Sequence, residues 1–256
     1  MLASQLEIKV EERTEELKQA LELTTFLSNL FAHDLANILN GINLQTQYFE
    51  IQCPLNDIIN SEVKDFFLGI KKLSKRGIRL IANVRKLTKL EEIGISMFPI
   101  EAISILKQAI DIARASFKGE NVNISLITFK DVIFVNANDL LIDVFENILN
   151  NAIKYRDEEK GDVNVEIQVT RIKNHGKKFI KFEFKDDGIG IPDEMKSILF
   201  KKKKIIGRSK GMGIGLTLVK KIVESCEGKI WVEDAILDNA NKGSNFVILL
   251  GEVFKG

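Results

Sequence analysis

The sequence predicts two units of different class, an antiparallel helical hairpin followed by an α/β sandwich with helices on one face of a mixed sheet. Three observations carry this. Apolar residues recur at alternating spacings of four and three over two long stretches before Gly94. That periodicity breaks between Ile93 and Phe98, and Pro99 follows. Beyond it, helical and strand-like patterns alternate to the end of the 256 residues, a length that accommodates two hydrophobic cores.

The first helical stripe runs Leu6, Val10, Arg13, Leu17, Ala20, Thr24, Leu27, Phe31, with Glu and Lys between, a coiled-coil pattern weakened by Arg13 and Thr24. It continues through Leu35, Ile38 and Ile42 to about Phe49, where Cys53-Pro54 forces a stop. Val63, Phe67, Ile70, Leu73, Gly77, Leu80, Val84, Leu87 and Leu90 form the second stripe, ending near Glu92 before Gly94. A two-helix hairpin is too thin to bury both stripes. Pairing of two hairpins into a dimeric four-helix bundle is the economical arrangement. The expected organisation is a coiled-coil linker over 1–24, a helical hairpin over 25–94 and an α/β unit over 95–256.

In that third region Ile100–Phe117 reads as helix, Val122–Phe129 and Val132–Val135 as strands, and Leu140–Tyr155 as a strong helix. Val163–Ile172 and Phe179–Phe184 resemble a hairpin around Asn174-His175-Gly176. A glycine-punctuated loop region, a helix over about Ile214–Glu224, and strands at Ile230–Val232 and Asn245–Leu250 complete the pattern.

Charge gives no lead to a partner. Thirty-seven basic and thirty-six acidic residues leave a formal charge of +1, so no bulk electrostatic argument points to nucleic acid or an anionic membrane. No apolar run approaches the roughly 20 residues that span a bilayer, and no signal-peptide pattern opens the chain. Cys53 and Cys226 share no metal or redox spacing and read as packing residues in a reducing compartment. A cytoplasmic chain without membrane insertion is the expectation.

Four short segments carry chemistry. In Phe31-Ala32-His33-Asp34-Leu35-Ala36-Asn37, an imidazole, a carboxylate and an amide fall within about one helical turn, with His33 two positions off the apolar stripe and Asn37 on its face. This is either a solvent-facing nucleophile or a surface histidine with ordinary neighbours. On Leu140–Tyr155, Asp143, Asn147, Asn151 and Lys154 share one face. An amide oxygen suits a divalent cation beside polyphosphate, which makes Asn151 the candidate metal ligand, with Lys154 as phosphate donor and Tyr155 at the rim. A plain hydrophilic face is the alternative.

Asp186-Asp187-Gly188-Ile189-Gly190-Ile191-Pro192 follows a strand, where glycines let backbone approach a ligand and Asp186 can accept from an exocyclic amine such as adenine's. Gly211-Met212-Gly213-Ile214-Gly215-Leu216 leads into a helix, an arrangement that exposes N–H groups to phosphate. Alone, each is also met in ordinary turns.

Taken in order, these segments resemble the sensor histidine kinases of two-component signalling, within the ATP-binding superfamily that includes gyrase-type and Hsp90-type ATPases. His33-Asp34-x-x-Asn37 is similar to the phosphoacceptor box of the dimerisation and phosphotransfer domain. Asn147 to Tyr155 is similar to the N box, Asp186-x-Gly188-x-Gly190 to the first glycine box and Gly211-x-Gly213-x-Gly215-Leu216 to the second. Gly243-Ser244-Asn245-Phe246 resembles the glycine motif before the last strand. The Val10–Leu17 run resembles the linker to an upstream sensory domain, which the resemblance implies is missing here.

The resemblance implies an ATP- and Mg²⁺-dependent kinase. In it His33 takes the γ-phosphoryl group, Asp34 orients it or acts as base, and Asn37 orients water in phosphatase action. It further implies transfer to an aspartate on a response-regulator receiver domain. The stretch between the glycine boxes departs from the family in being short: Phe200 is followed by Lys201-Lys202-Lys203-Lys204 and reaches Gly211 within a few residues. Lys204, Arg208 and Lys210 are the candidate phosphate contacts in it. Two rival classes stand beside this reading: a scaffold that keeps the fold without activity, and a serine kinase or ATPase of the same superfamily.

Overall fold

The computed structural model describes residues 9–10, 13–18, 32, 35–48, 61–92, 96–118, 121–157, 161–174, 176–200, 214–236 and 242–254. The chain divides into two units, Met1–Glu92 and Ile93–Gly256. Among the described residues, no helix is long and apolar enough to cross a membrane.

In the first unit residues 9–10, 13–18 and 32 are helical, residues 35–48 form α1, and Ser61–Glu92 forms α2. The two helices meet through small and polar groups. Ser74 donates its hydroxyl to the Leu39 carbonyl at 2.5 Å, and a Cβ on Gly77 would lie 2.5 Å from Leu39 Cδ1. Ala32, Thr46, Ser74 and Ile81 are the buried residues among those described here. The expected apolar stripe lies elsewhere on α1: Leu35, Ile38 and Ile42 are 48%, 60% and 40% exposed. Residues 32, 39 and 46 repeat every seven positions and form the inward line. The strongest apolar positions are therefore left on the outside of the single chain.

The second unit is an α+β domain. Its elements are β1 (Phe98–Glu101), α3 (Ala102–Ser116), β2 (Val122–Thr128), β3 (Phe134–Ala137), α4 (Leu141–Lys154), β4 (Val163–Asn174) and β5 (Lys177–Asp186). Then follow α5 (Asp193–Lys196), α6 (Ile214–Ser225), β6 (Lys229–Asp234) and β7 (Ser244–Val253). The strands make one mixed sheet in the order β1-β3-β7-β5-β4-β2, with β6 also paired to β7. Among the described residues only β2 and β4 run parallel. One edge of β7 is occupied by β5, while the other is shared by β6 along Ser244–Leu249 and β3 at Glu252 and Val253.

Alternation explains the core. Val163, Val165, Ile167 and Val169 of β4, Ile180, Phe182 and Phe184 of β5, and Phe246, Ile248 and Leu250 of β7 are buried, and register puts them on one face. Against that face α4 lays Phe145, whose ring lies 5.3 and 5.8 Å from those of Phe182 and Phe184. Lys181, Glu183 and Lys185 alternate onto the opposite face.

Three local expectations need correction. Ile100 and Glu101, expected to open the helix Ile100–Phe117, belong instead to the strand Phe98–Glu101, because it pairs with β3, and Glu101 caps α3 by accepting from Ile103 and Ser104 N–H. The strand expected at Val132–Val135 is Phe134–Ala137, shifted to match β1. A four-residue helix, α5, sits where only loop was expected. The β4–β5 hairpin closes through Asn174 opposite Lys177, with Gly176 at φ +78°. His175 lies outside the described residues.

Truncating Phe145, fully buried between two rings, is expected to destabilise the second unit by about 3–5 kcal/mol. The chain has one tryptophan, Trp231, in that unit. Urea unfolding of Phe145→Ala followed by its fluorescence measures the loss.

Candidate functional site

The end of α4, the turn after β5 and the start of β7 are joined by short hydrogen bonds. On α4, Asp143, Asn147 and Asn151 are half-buried beside the fully packed Val144, Ile148 and Ala152. Asn147 Nδ2 donates to the Asp143 carbonyl at 2.7 Å, which fixes the direction of Oδ1. That oxygen lies 2.7 Å from where a Cβ on Gly215 would be, so the first turn of α6 is brought onto Asn147. Asn151 is half-buried, and its carbonyl accepts the Tyr155 N–H at 3.0 Å to close the helix. Lys154 is exposed, with its ammonium 4.9 Å from the Tyr155 ring centre.

Asp186 ends β5 and is 8% exposed. Its Oδ1 accepts the N–H groups of Gly188 at 3.0 Å and Ser244 at 3.2 Å, and Oδ2 accepts the Ser244 hydroxyl at 2.5 Å. Two lone pairs of Oδ1 are thus used, and Oδ2 keeps one for a further donor. Burial pushes this carboxyl above its ordinary value, against the downward pull of the Ser244 hydroxyl and the two backbone donors. Asp187 instead turns to β4, accepting from Asn164 N–H at 3.0 Å and Nδ2 at 2.8 Å.

Two glycines permit this weave. A Cβ on Gly188 would stand 2.5 Å from the Tyr155 carbonyl, which accepts the Ile189 N–H at 3.1 Å. Gly243, at φ +77°, donates to the Gly188 carbonyl at 2.8 Å, and a Cβ there would be 2.0 Å from the Asp186 carbonyl oxygen. No side chain fits either place without moving backbone.

Of the residues singled out by sequence, Tyr155, Asp186 and Gly188 are thereby brought together at the end of α4, and Asn147 meets Gly215 farther back along the same helix, with Asn151 and Lys154 in its last turn and Gly190 two residues past Gly188, at φ +73°. Leu216 is half-buried in α6, and Asn37 is exposed on α1. His33, Asp34, Lys204, Arg208, Lys210, Gly211 and Gly213 lie outside the described residues. Sequence reasoning passed over Ser244 and Asn164. Ser244 stood within a quoted motif, whereas Asn164 carried no signal, since its partner Asp187 is 23 residues away. Cys226 is buried, and burial raises its thiol pKa, so it stays protonated and inert. Among the described residues no three His, Cys, Asp or Glu side chains cluster as a metal cage.

Two outcomes follow from this geometry. Gly243→Ala is expected to cost about 2–4 kcal/mol, from left-handed backbone plus the clash with the Asp186 carbonyl, read by thermal melting. Asp186 has its folded-state pKa raised above the unfolded value, so its contribution to stability is fully present below the unfolded pKa of about 3.9 and is lost as pH rises through the folded pKa. Asp186→Asn removes that dependence. Its melting temperature is expected to gain on the parent's as pH rises from about 4 to 7.

Comparison with known proteins agrees with the geometry. Residues 136–252 match the family described as histidine kinase-, DNA gyrase B-, and HSP90-like ATPase. The chain is 30% identical to the sensor protein KdpD of Clostridium acetobutylicum over 94% of its own length and 25% of that protein's. It is 25% identical to the adaptive-response sensory kinase SasA of Synechocystis over 91% of its own length and 60% of that protein's. The mycobacterial sensor histidine kinase MprB shares the fold, with a TM-score of 0.52 at 20% identity over 60% of this chain and 98% of that structure. The chain thus spans between a quarter and three fifths of the length of KdpD and SasA. With β4, β5, β7 and α4 arranged as above, residues 136–252 of the second unit match the histidine kinase-, DNA gyrase B- and HSP90-like ATPases, and the chain as a whole is similar to sensor kinases.

Proposed function

We propose that the chain is an ATP-dependent protein-histidine kinase that phosphorylates itself on His33 and passes the phosphoryl group to an aspartate of a response-regulator receiver domain. The observation that carries this is the buried Asp186 carboxylate, held by three donors and keeping one lone pair, together with the close approach of Gly215 to Asn147 on α4. That lone pair suits the exocyclic amine of adenine. ATP would supply the phosphoryl group, and Mg²⁺ would offset charge on it. The donor set fits a cation brought in by phosphates: Asn151 offers a neutral amide oxygen on the open side of α4, and no carboxylate cage stands beside it among the described residues.

In this reading Asn147, Lys154 and Tyr155 line the nucleotide side. Gly188, Gly190, Gly211, Gly213, Gly215 and Leu216 shape the loops around the phosphates, and Lys204, Arg208 and Lys210 supply cationic contacts. His33 attacks through a ring nitrogen of its neutral imidazole. Asp34 orients the ring and takes up its proton, and Asn37, exposed on α1, positions water when the regulator is dephosphorylated. The regions 1–24, 25–94 and 95–256 serve as signal-carrying linker, dimerisation and phosphotransfer domain, and catalytic domain of a cytoplasmic protein. Exposed Leu35, Ile38 and Ile42 support a homodimer of two hairpins in a four-helix bundle.

Incubation with Mg-ATP followed by mass spectrometry at neutral pH is expected to find one acid-labile phosphoryl group, on His33. His33→Gln should lose it and still bind ATP, whereas Asp186→Asn should lose ATP binding with the fold kept. ATP binding without phosphohistidine in the parent chain would overturn the kinase reading. For the dimer, sedimentation should give two chains, and Ile38→Glu with Ile42→Glu should give one.

A further inference from the structure

Directly after the glycine turn the chain is tied down at a point that the chemistry above does not use. Lys196 Nζ, in α5, donates to Asp193 Oδ1 and Asp234 Oδ1, each at 2.6 Å. The side chains differ in shelter: Lys196 is 16% exposed and Asp234 19%, while Asp193 is 81% exposed. The Asp193 bond is an ordinary surface contact one helical turn away, of the kind that contributes little. The Asp234 bond links residues 38 apart in sequence and is largely withdrawn from water.

Its place in the fold gives it leverage. Asp234 ends β6 and is the register partner of Ser244, whose hydroxyl and N–H hold Asp186. Four residues past Lys196, the Phe200 ring meets Phe246 of β7 edge-on at 6.4 Å. Residues 193–200 are therefore fixed twice to the β6–β7 ribbon, and that ribbon fixes Asp186. The two carboxylates raise the Lys196 pKa above its usual value, so the ammonium is retained throughout the neutral range.

We propose that Lys196 is a positioning residue for the nucleotide site: its bond to Asp234 holds the segment behind the glycine turn against the β6–β7 ribbon, and so sets how well Asp186 and its turn are preorganised to take ATP. The proposal rests on the nucleotide-binding reading above. A chain with this bond broken keeps its core and loses ATP affinity, because the turn must be ordered when the nucleotide binds.

Calorimetric titration of the full chain with Mg-ATP, alongside melting curves, tests this. Lys196→Met and Asp234→Asn should each weaken ATP about tenfold, the scale of one sheltered charge-assisted hydrogen bond. The double variant should be no worse than either single, Lys196→Arg should recover most of the affinity, and Asp193→Asn should bind like the parent. KM for ATP in phosphorylation should follow the affinity, while kcat at saturating ATP changes less than about twofold. Parent-like ATP affinity in both Lys196→Met and Asp234→Asn overturns the inference and leaves the kinase reading standing. So does an Asp193→Asn loss equal to that of Asp234→Asn. Absence of ATP binding in the parent chain overturns both. Asp234→Asn leaves an amide oxygen that can still accept from Lys196. Asp234→Leu removes the acceptor at similar size and should also weaken ATP about tenfold, so it decides the matter where Lys196→Met melts, parent-like affinity in it overturning the inference.

Discussion

The second unit depends on one buried carboxylate. Asp186 terminates β5, and its oxygens bind the turn that follows through Gly188 and the strand beside it through Ser244. Leaving a carboxylate in that place without partners would cost several kcal/mol, so the fold has to bring those donors to it. Meeting that requirement sets the glycines at 188 and 243, since a side chain at either would strike backbone. The same constraint leaves one acceptor position unspent on a rigid strand end, which is what recognition of a donor requires. The demands of stability and of the proposed ligand reading thus converge on a single residue.

Legibility of this arrangement in the sequence followed the locality of its causes. Helix α4 could be read nearly to its ends because its apolar face repeats without interruption, and the β4–β5 hairpin because Asn174-His175-Gly176 announces a turn. Phe98–Glu101 could not, because it is four residues long and its strand character comes from β3, more than 30 residues away. The glycine motifs marked where backbone comes close but not what it approaches. Asn164 and Lys196 were silent for the same reason: their partners Asp187 and Asp234 are 23 and 38 residues off, and a lone polar residue at a strand start or in a short helix has no pattern.

The first unit shows how a regular pattern can point to a face other than the one used inside the chain. The spacing of Leu35, Ile38 and Ile42 was the most regular in that region, yet α1 meets α2 through Leu39 against Ser74 and Gly77. Small residues allow close backbone approach, and the hydroxyl-to-carbonyl bond needs it. Large apolar side chains are then displaced to the neighbouring stripe, where burial would require a surface from another molecule.

The sheet also has a built-in point of compliance. The chain enters the second unit through β1, which pairs with β3, and β3 meets β7 over only two residue pairs, Phe134 with Val253 and Val135 with Glu252. By contrast β5 and β7 share seven. A tug arriving along the backbone at Phe98 would therefore strain the short ladder first, with α3 against α4 taking up the slack, and the strands that carry Asp186 and Ser244 would be shielded from it. The entrance would then serve as a mechanical fuse, giving way locally before the framework around Asp186 is disturbed.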